Sequence, residues 1–116
     1  VGLRRTPLNE LQLQKRAVKH GFRVISPDRL SWVEQVRLLS RAKAVVGVHG
    51  AGLSNQVWMP TRGAILEIFP PAYLVTCFAA LAQYLGHDYD YVLSTPFRDD
   101  WVVDEDKFEE LLGRML

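Results

Sequence analysis

The stretch VVGVHGAGLSNQVWMP, residues 45–60, decides how the rest of the chain is read. Its valine-rich opening has the composition of a buried strand, expected over residues 43–48. The segment that follows, closed by Pro60, reads as a short helix over residues 53–58. Between them stand His49, Gly50, Ala51, Gly52 and Leu53, so the strand-to-helix junction carries very little side chain. Gly50 and Gly52 remove Cβ atoms that would hold a ligand away, and they permit positive φ. A helix start leaves backbone N–H groups without intrahelical partners, and the helix dipole favours negative charge there. The two together suit a phosphate or diphosphate. Ser54 and Asn55 add polar groups in the first turn. A tight turn whose glycines serve only close packing fits the same spacing, and a lone G-x-G does not separate the two. The dinucleotide fingerprint G-x-G-x-x-G is not completed, because Asn55 stands in the place of the third glycine.

Working outward, strands and helices alternate. Residues 1–3 read as the end of a strand. Leu8, Leu11, Leu13 and Val18 have helical spacing and Gly21 follows them, which predicts a helix over 8–20. A short apolar strand is expected at 22–25. Asp28 or Ser31 caps a second helix that runs through Val33, Val36, Leu38 and Leu39 to about Arg41. Residues 64–69 read as a strand ended by Pro70 and Pro71. Residues 72–85 are apolar nearly all round and read as a well-buried helix stopped by Gly86. A last strand is expected at 89–93. The acidic start of 104–116 suits the positive end of a terminal helix. This alternation implies an α/β fold: a Rossmann-like, doubly wound, mainly parallel sheet with helices on both faces. Ligands of such sheets bind beyond the carboxyl ends of the strands. Arg4, Arg5, loop 26–28, loop 49–55 and residues 69–73 then share one edge.

Composition narrows the function classes. The chain has 116 residues, which fits one domain, and 48% are hydrophobic, enough to bury a core. No apolar run approaches the ~20 residues of a transmembrane helix. The single Cys77 excludes an internal disulfide and a cysteine zinc site. The chain opens on VGLRR without a methionine, and we expect it to be a piece of a longer protein. Residues 1–49 carry ten Lys/Arg against three Asp/Glu, and residues 50–116 carry four against ten. A basic half suits an anionic ligand, although Lys15, Arg16 and Lys19 also fit a solvated helix face. No aromatic residues interleave with the basic ones, which argues against nucleic acid. The acids of 99–112 follow one another on a helix start and do not predict a metal site. His20 and His87 read as surface residues and Trp32 as core.

The run VGVHGAGLSNQVWMP followed by GAILEIFPP resembles the signature of glycosyltransferase family 61. RRTPLNE and PDRLSWVEQVRLLSRAKAVVG are similar to that family's preceding segments in order and spacing. The resemblance covers roughly residues 4–92. It implies the donor-binding, C-terminal domain of an inverting GT-B enzyme that uses a nucleotide sugar, with uridine diphosphate as its nucleotide, and no metal or other cofactor. The implied partners are the donor, a glycan or protein acceptor, and an N-terminal, acceptor-side domain that this chain lacks. The implied compartment is the Golgi or endoplasmic reticulum lumen in a eukaryote, and the cytoplasm in a bacterium. One of Arg4 and Arg5, with Arg5 favoured, matches the family arginine that would face the diphosphate with the Gly50–Ala51–Gly52 loop. His49 matches the family histidine, with a hydrogen bond to phosphate or sugar, a base or a purely structural contact as its roles. Glu67 fits two roles: binding ribose hydroxyls or bracing the loop. Gln35 is expected near a uracil. Asn9 and Glu10 are expected to cap or brace the first helix. Two other classes fit the residues alone: a fragment of a dinucleotide-dependent oxidoreductase, or a non-catalytic Rossmann-like binding module.

Overall fold

The computed structural model describes residues 6–72 and 74–116. The expected strand end at 1–3, both Arg4 and Arg5, and Tyr73 lie outside the described residues.

Three strands, β1 (Ala44–Val48), β2 (Ala64–Phe69) and β3 (Asp88–Leu93), form a parallel sheet in the order β1-β2-β3. Val46 lies opposite Leu66, and Leu66 opposite Asp90. The central strand β2, AILEIF, is buried along its whole length. A strand covered on both faces needs a continuous apolar run, which this sequence supplies except at Glu67. Each fully buried Leu or Ile contributes roughly 1.5–3 kcal/mol.

Alternation along the strands sends side chains to two cores. On one face, Leu66, Ile68 and Val92 pack with Leu13 and Ala17 of α1 (Glu10–Lys19) and with Phe108, Leu111 and Leu112 of α4 (Glu105–Met115). On the other, Ile65 packs with Leu39 of α2 (Trp32–Leu39), with Leu53 and Met59, and with Ala82 of α3 (Cys77–Leu85). The expected α/β sheet with helices on both faces is therefore present, and three of its strands are among the described residues.

Local chemistry explains the helix ends. Ser31, rather than Asp28, caps α2: its hydroxyl accepts from the Glu34 N–H at 3.1 Å. Asp104 caps α4 in the same way through Lys107 N–H at 3.0 Å. Gly86 ends α3 at φ 78°, a conformation that costs glycine little.

Four expectations are corrected. Residues 22–25 form no strand: the Phe22 N–H bonds back to Ala17 O at 3.1 Å and closes α1. Phe22 then packs against one core and Ile25 against the other, so the segment straddles the edge of the sheet beside β1. The helix expected over 72–85 begins only at Cys77. Ala72 takes a left-handed φ of 57° after the two prolines, which breaks the helical run. This helix is also not well buried, since Ala82 is its one buried residue and Tyr84 is 87% exposed. Finally, a hairpin of β4 (Thr95–Phe97) and β5 (Asp100–Val102) stands where no strand was expected. It turns on Arg98, at φ 56°, and Asp99, and it buries Trp101 completely in the α1–α4 core.

Candidate functional site

The quoted stretch folds into β1 and a 3-10 helix, Ala51–Trp58. His49 N–H bonds Ile68 O at 2.8 Å and extends the ladder one residue past the strand. Gly50 follows at φ 167° and ψ 171°, an extended conformation, and its carbonyl accepts from Leu53 N–H at 3.0 Å to close the first turn. Neither Gly50 nor Gly52 takes the left-handed φ that the sequence suggested. What glycine supplies at 52 is room. Among the described residues a Cβ there would meet no atom within 4 Å, and Gly52 borders a cavity of about 500 Å³. Gly47 plays the opposite part, since a Cβ on it would lie 3.2 Å from Leu53 Cδ2. It is the packing glycine of the junction.

The cavity lies beside β1, on the side away from β2. Val46, Gly47, Val48, Gly52 and Leu53 form one side. The segment 22–28, which failed to pair as a strand, forms another, and α1 contributes Glu10, Leu13 and Gln14. Its walls are mainly apolar, with Thr6, Glu10, Gln14, Arg23, Ser26 and Asp28 as the polar side chains. That size and lining fall in the usual range for small-molecule sites.

Behind the junction is a buried polar line. Glu67 points from the centre of β2 to the α3 face and has 0% exposure. Its Oε2 pairs with His49 Nδ1, and its Oε1 accepts the Tyr89 hydroxyl at 2.5 Å. Burial, and next the bond to Glu67, push the Tyr89 phenol well above its ordinary range. The imidazole of His49 is stacked on Phe69 (5.5 Å, 23°) and tilted against Phe78 (5.0 Å, 56°). Tyr91 packs edge-on to Phe69 at 6.0 Å.

Of the residues singled out from sequence, His49 and Glu67 are brought into direct contact. Gln35 and Asn55 also meet, with Asn55 Nδ2 3.3 Å from Gln35 Oε1. The Gln35 amide nitrogen donates to Pro27 O at 2.8 Å, so this side chain staples α2 to the turn before it. Leu53 is buried under β1, whereas Ser54 is exposed. Ala51 opens the 3-10 helix.

Several readings of single residues are revised. Trp32 is 67% exposed and meets Trp58 edge-on at 6.0 Å, so it is not core. His20 bonds Glu109 at 3.1 Å, and Arg16 and Lys19 pair with the acids of α4, so part of the basic half is neutralised within the chain. His87 is buried, with Nδ1 on Gln56 Oε1 at 3.2 Å. Tyr89 was missed. Its only signal was the alternation Tyr89–Asp90–Tyr91, and the register against Glu67 is visible only in three dimensions.

A model of the family described as Glycosyltransferase 61 matches residues 2–66. The chain is 34% identical over 91 residues to a xylan glycosyltransferase of Arabidopsis thaliana, covering 71% of this chain and 18% of that relative. It is 34% identical over 71 residues to a protein O-linked-mannose β-1,4-N-acetylglucosaminyltransferase 2 of Canis lupus familiaris, covering 59% of this chain and 12% of that relative. The counterpart in Bos taurus is 32% identical over 71 residues. The chain thus matches less than a fifth of the length of these relatives.

Proposed function

Because this chain belongs to glycosyltransferase family 61, we propose that it is the donor-binding part of an inverting, metal-independent transferase of GT-B architecture. The donor is a uridine diphosphate sugar and the acceptor a glycan or a protein, met together with an N-terminal, acceptor-side domain. The observation that carries this reading is the junction at the end of β1, where Gly52 leaves open space beside a cavity of about 500 Å³.

The chemistry follows from charge. An inverting transfer expels a nucleoside diphosphate, and negative charge grows on it as the glycosidic bond breaks. Backbone N–H groups at the start of the 3-10 helix would meet that charge with Arg5 or Arg4. With the diphosphate over Gly52, the nucleoside would lie in the cavity between the β1 edge and segment 22–28. Family membership argues against the dinucleotide alternative.

Calorimetric titration tests the reading. Uridine diphosphate should bind weakly and equally with and without a chelator. Binding that vanishes on chelation, or that prefers a nicotinamide dinucleotide, would overturn it.

A further inference from the structure

We propose that Asp28, and not Glu67, takes the ribose hydroxyls of the nucleotide, and that Gln35 sets the place of Asp28 relative to the diphosphate. The inference rests on the nucleotide-sugar reading above and names the side chain that makes that site selective for a ribonucleotide.

Exclusion comes first. A ribose presents two neighbouring hydroxyl donors, and a carboxylate has two acceptor oxygens that can hold both at once. Glu67 has 0% exposure. Its oxygens are already taken, Oε2 by His49 Nδ1 and Oε1 by the Tyr89 hydroxyl. Glu67 therefore braces the junction and has nothing left for a ribose. Among the described residues, two other carboxylates line the cavity of about 500 Å³, those of Glu10 and Asp28. Glu10 Oε1 accepts from Gln14 Nε2 at 3.1 Å. Asp28 has no hydrogen-bond or ion-pair partner among the described residues, and Ser26 at the head of its turn makes no side-chain cap bond. The fold spends neither group, and both face the space where the nucleoside is proposed to lie.

The turn spends its backbone instead. Asp28 sits in the short 3-10 turn Pro27–Arg29. Gln35 Nε2 donates to Pro27 O at 2.8 Å and to Leu30 O at 3.3 Å, so one carboxamide of α2 grips the turn at both ends. Gln35 Oε1 accepts from Asn55 Nδ2 at 3.3 Å. Asn55 belongs to the 3-10 helix whose start is the proposed diphosphate seat. A single side chain thus ties the turn that carries Asp28 to the helix that follows Gly50. The ribose and diphosphate of one nucleotide are a fixed span apart, and a site held at that span in advance binds without paying to order itself. Gln35 is a positioning residue in this scheme.

NMR titrations of the whole chain with uridine diphosphate and with its 2′-deoxy analogue test it. The ribonucleotide should bind about tenfold more tightly, the scale of one hydrogen bond to a charged group. Asp28→Asn should nearly equalise the two affinities, and its exposed position should leave the melting temperature as in the wild type. Glu10→Gln should keep the preference. Gln35→Ala should reduce the preference although Asp28 is intact, an effect that a contact serving stability alone would not produce. Equal affinities in the wild type, a preference that survives Asp28→Asn, or one that disappears in a folded Glu10→Gln protein would overturn the assignment of Asp28. An undiminished preference in a folded Gln35→Ala protein would overturn the positioning role. If neither nucleotide binds the wild type, the nucleotide-sugar reading fails and this inference falls with it. Binding of uridine diphosphate without regard to the 2′-hydroxyl overturns this inference and leaves that reading standing.

Discussion

Asn9 clasps the backbone of Val103 from both sides. Its Nδ2 donates to Val103 O at 2.7 Å, and its Oδ1 accepts from Val103 N–H at 3.2 Å. Asn9 occupies the cap position of α1 but makes no side-chain bond to that helix. It ties the start of α1 to the strand end that leads into α4. The first helix and the last therefore share one anchor across 94 residues. Asn9→Ala should lose both bonds and cost ~1–3 kcal/mol. Urea unfolding should show a lower midpoint at an unchanged slope. A shift below ~0.5 kcal/mol would mean that the clasp contributes nothing.

The α1–α4 seam also carries charge. Glu109 is held below the usual carboxylate range, first by the hydrogen bond from His20 and then by Lys19 and Arg16, against an opposing contribution from burial. A depressed folded value means that the contribution is complete above the unfolded carboxylate value. It is lost as pH falls through the lower folded one. Titration of the Glu109 carboxyl by NMR should show the depression, and His20→Ala should move it back toward the ordinary range. A titration unchanged by His20→Ala would contradict the assigned cause.

The two glycines of the junction should respond differently to a methyl group. Gly47→Ala places its Cβ 3.2 Å from Leu53 Cδ2, and it should cost ~1 kcal/mol by overpacking. Gly52→Ala should stay within ~0.5 kcal/mol of wild type, because no described residue lies within 4 Å of the added Cβ. Thermal unfolding of both variants checks this, and equal losses would remove the distinction between packing and access.

The chain alone should transfer no sugar, because the acceptor contacts belong to the proposed N-terminal domain. A radiolabelled or coupled transfer assay checks this. Detectable transfer would overturn that division of roles.

Much of the fold was legible because its signals are local. The run 64–69 matched β2 residue for residue, Gly86 stopped α3, and Asp104 opened α4. The misreadings have both local and long-range causes. Residues 22–25 have strand composition, but their first N–H is spent on closing α1. The apolar 72–85 run promised burial, which depends on what packs against it. The hairpin turn at Arg98–Asp99 lacks the glycine that usually announces one. In the site, His49 and Glu67 could each be picked out by type. Their contact, and Tyr89 beyond it, depend on strand register, which one sequence does not display.

The central claim is that a diphosphate seats on the start of the 3-10 helix. Titration of uridine diphosphate into nitrogen-15-labelled protein, followed amide by amide, tests it most directly. The account predicts that the backbone N–H signals of Gly50, Ala51, Gly52 and Leu53 move first and saturate together. The same titration of a folded Gly52→Val protein should leave them still, because the branched side chain fills the approach. Shifts confined to other residues, or the same shifts at undiminished affinity in Gly52→Val, would contradict it.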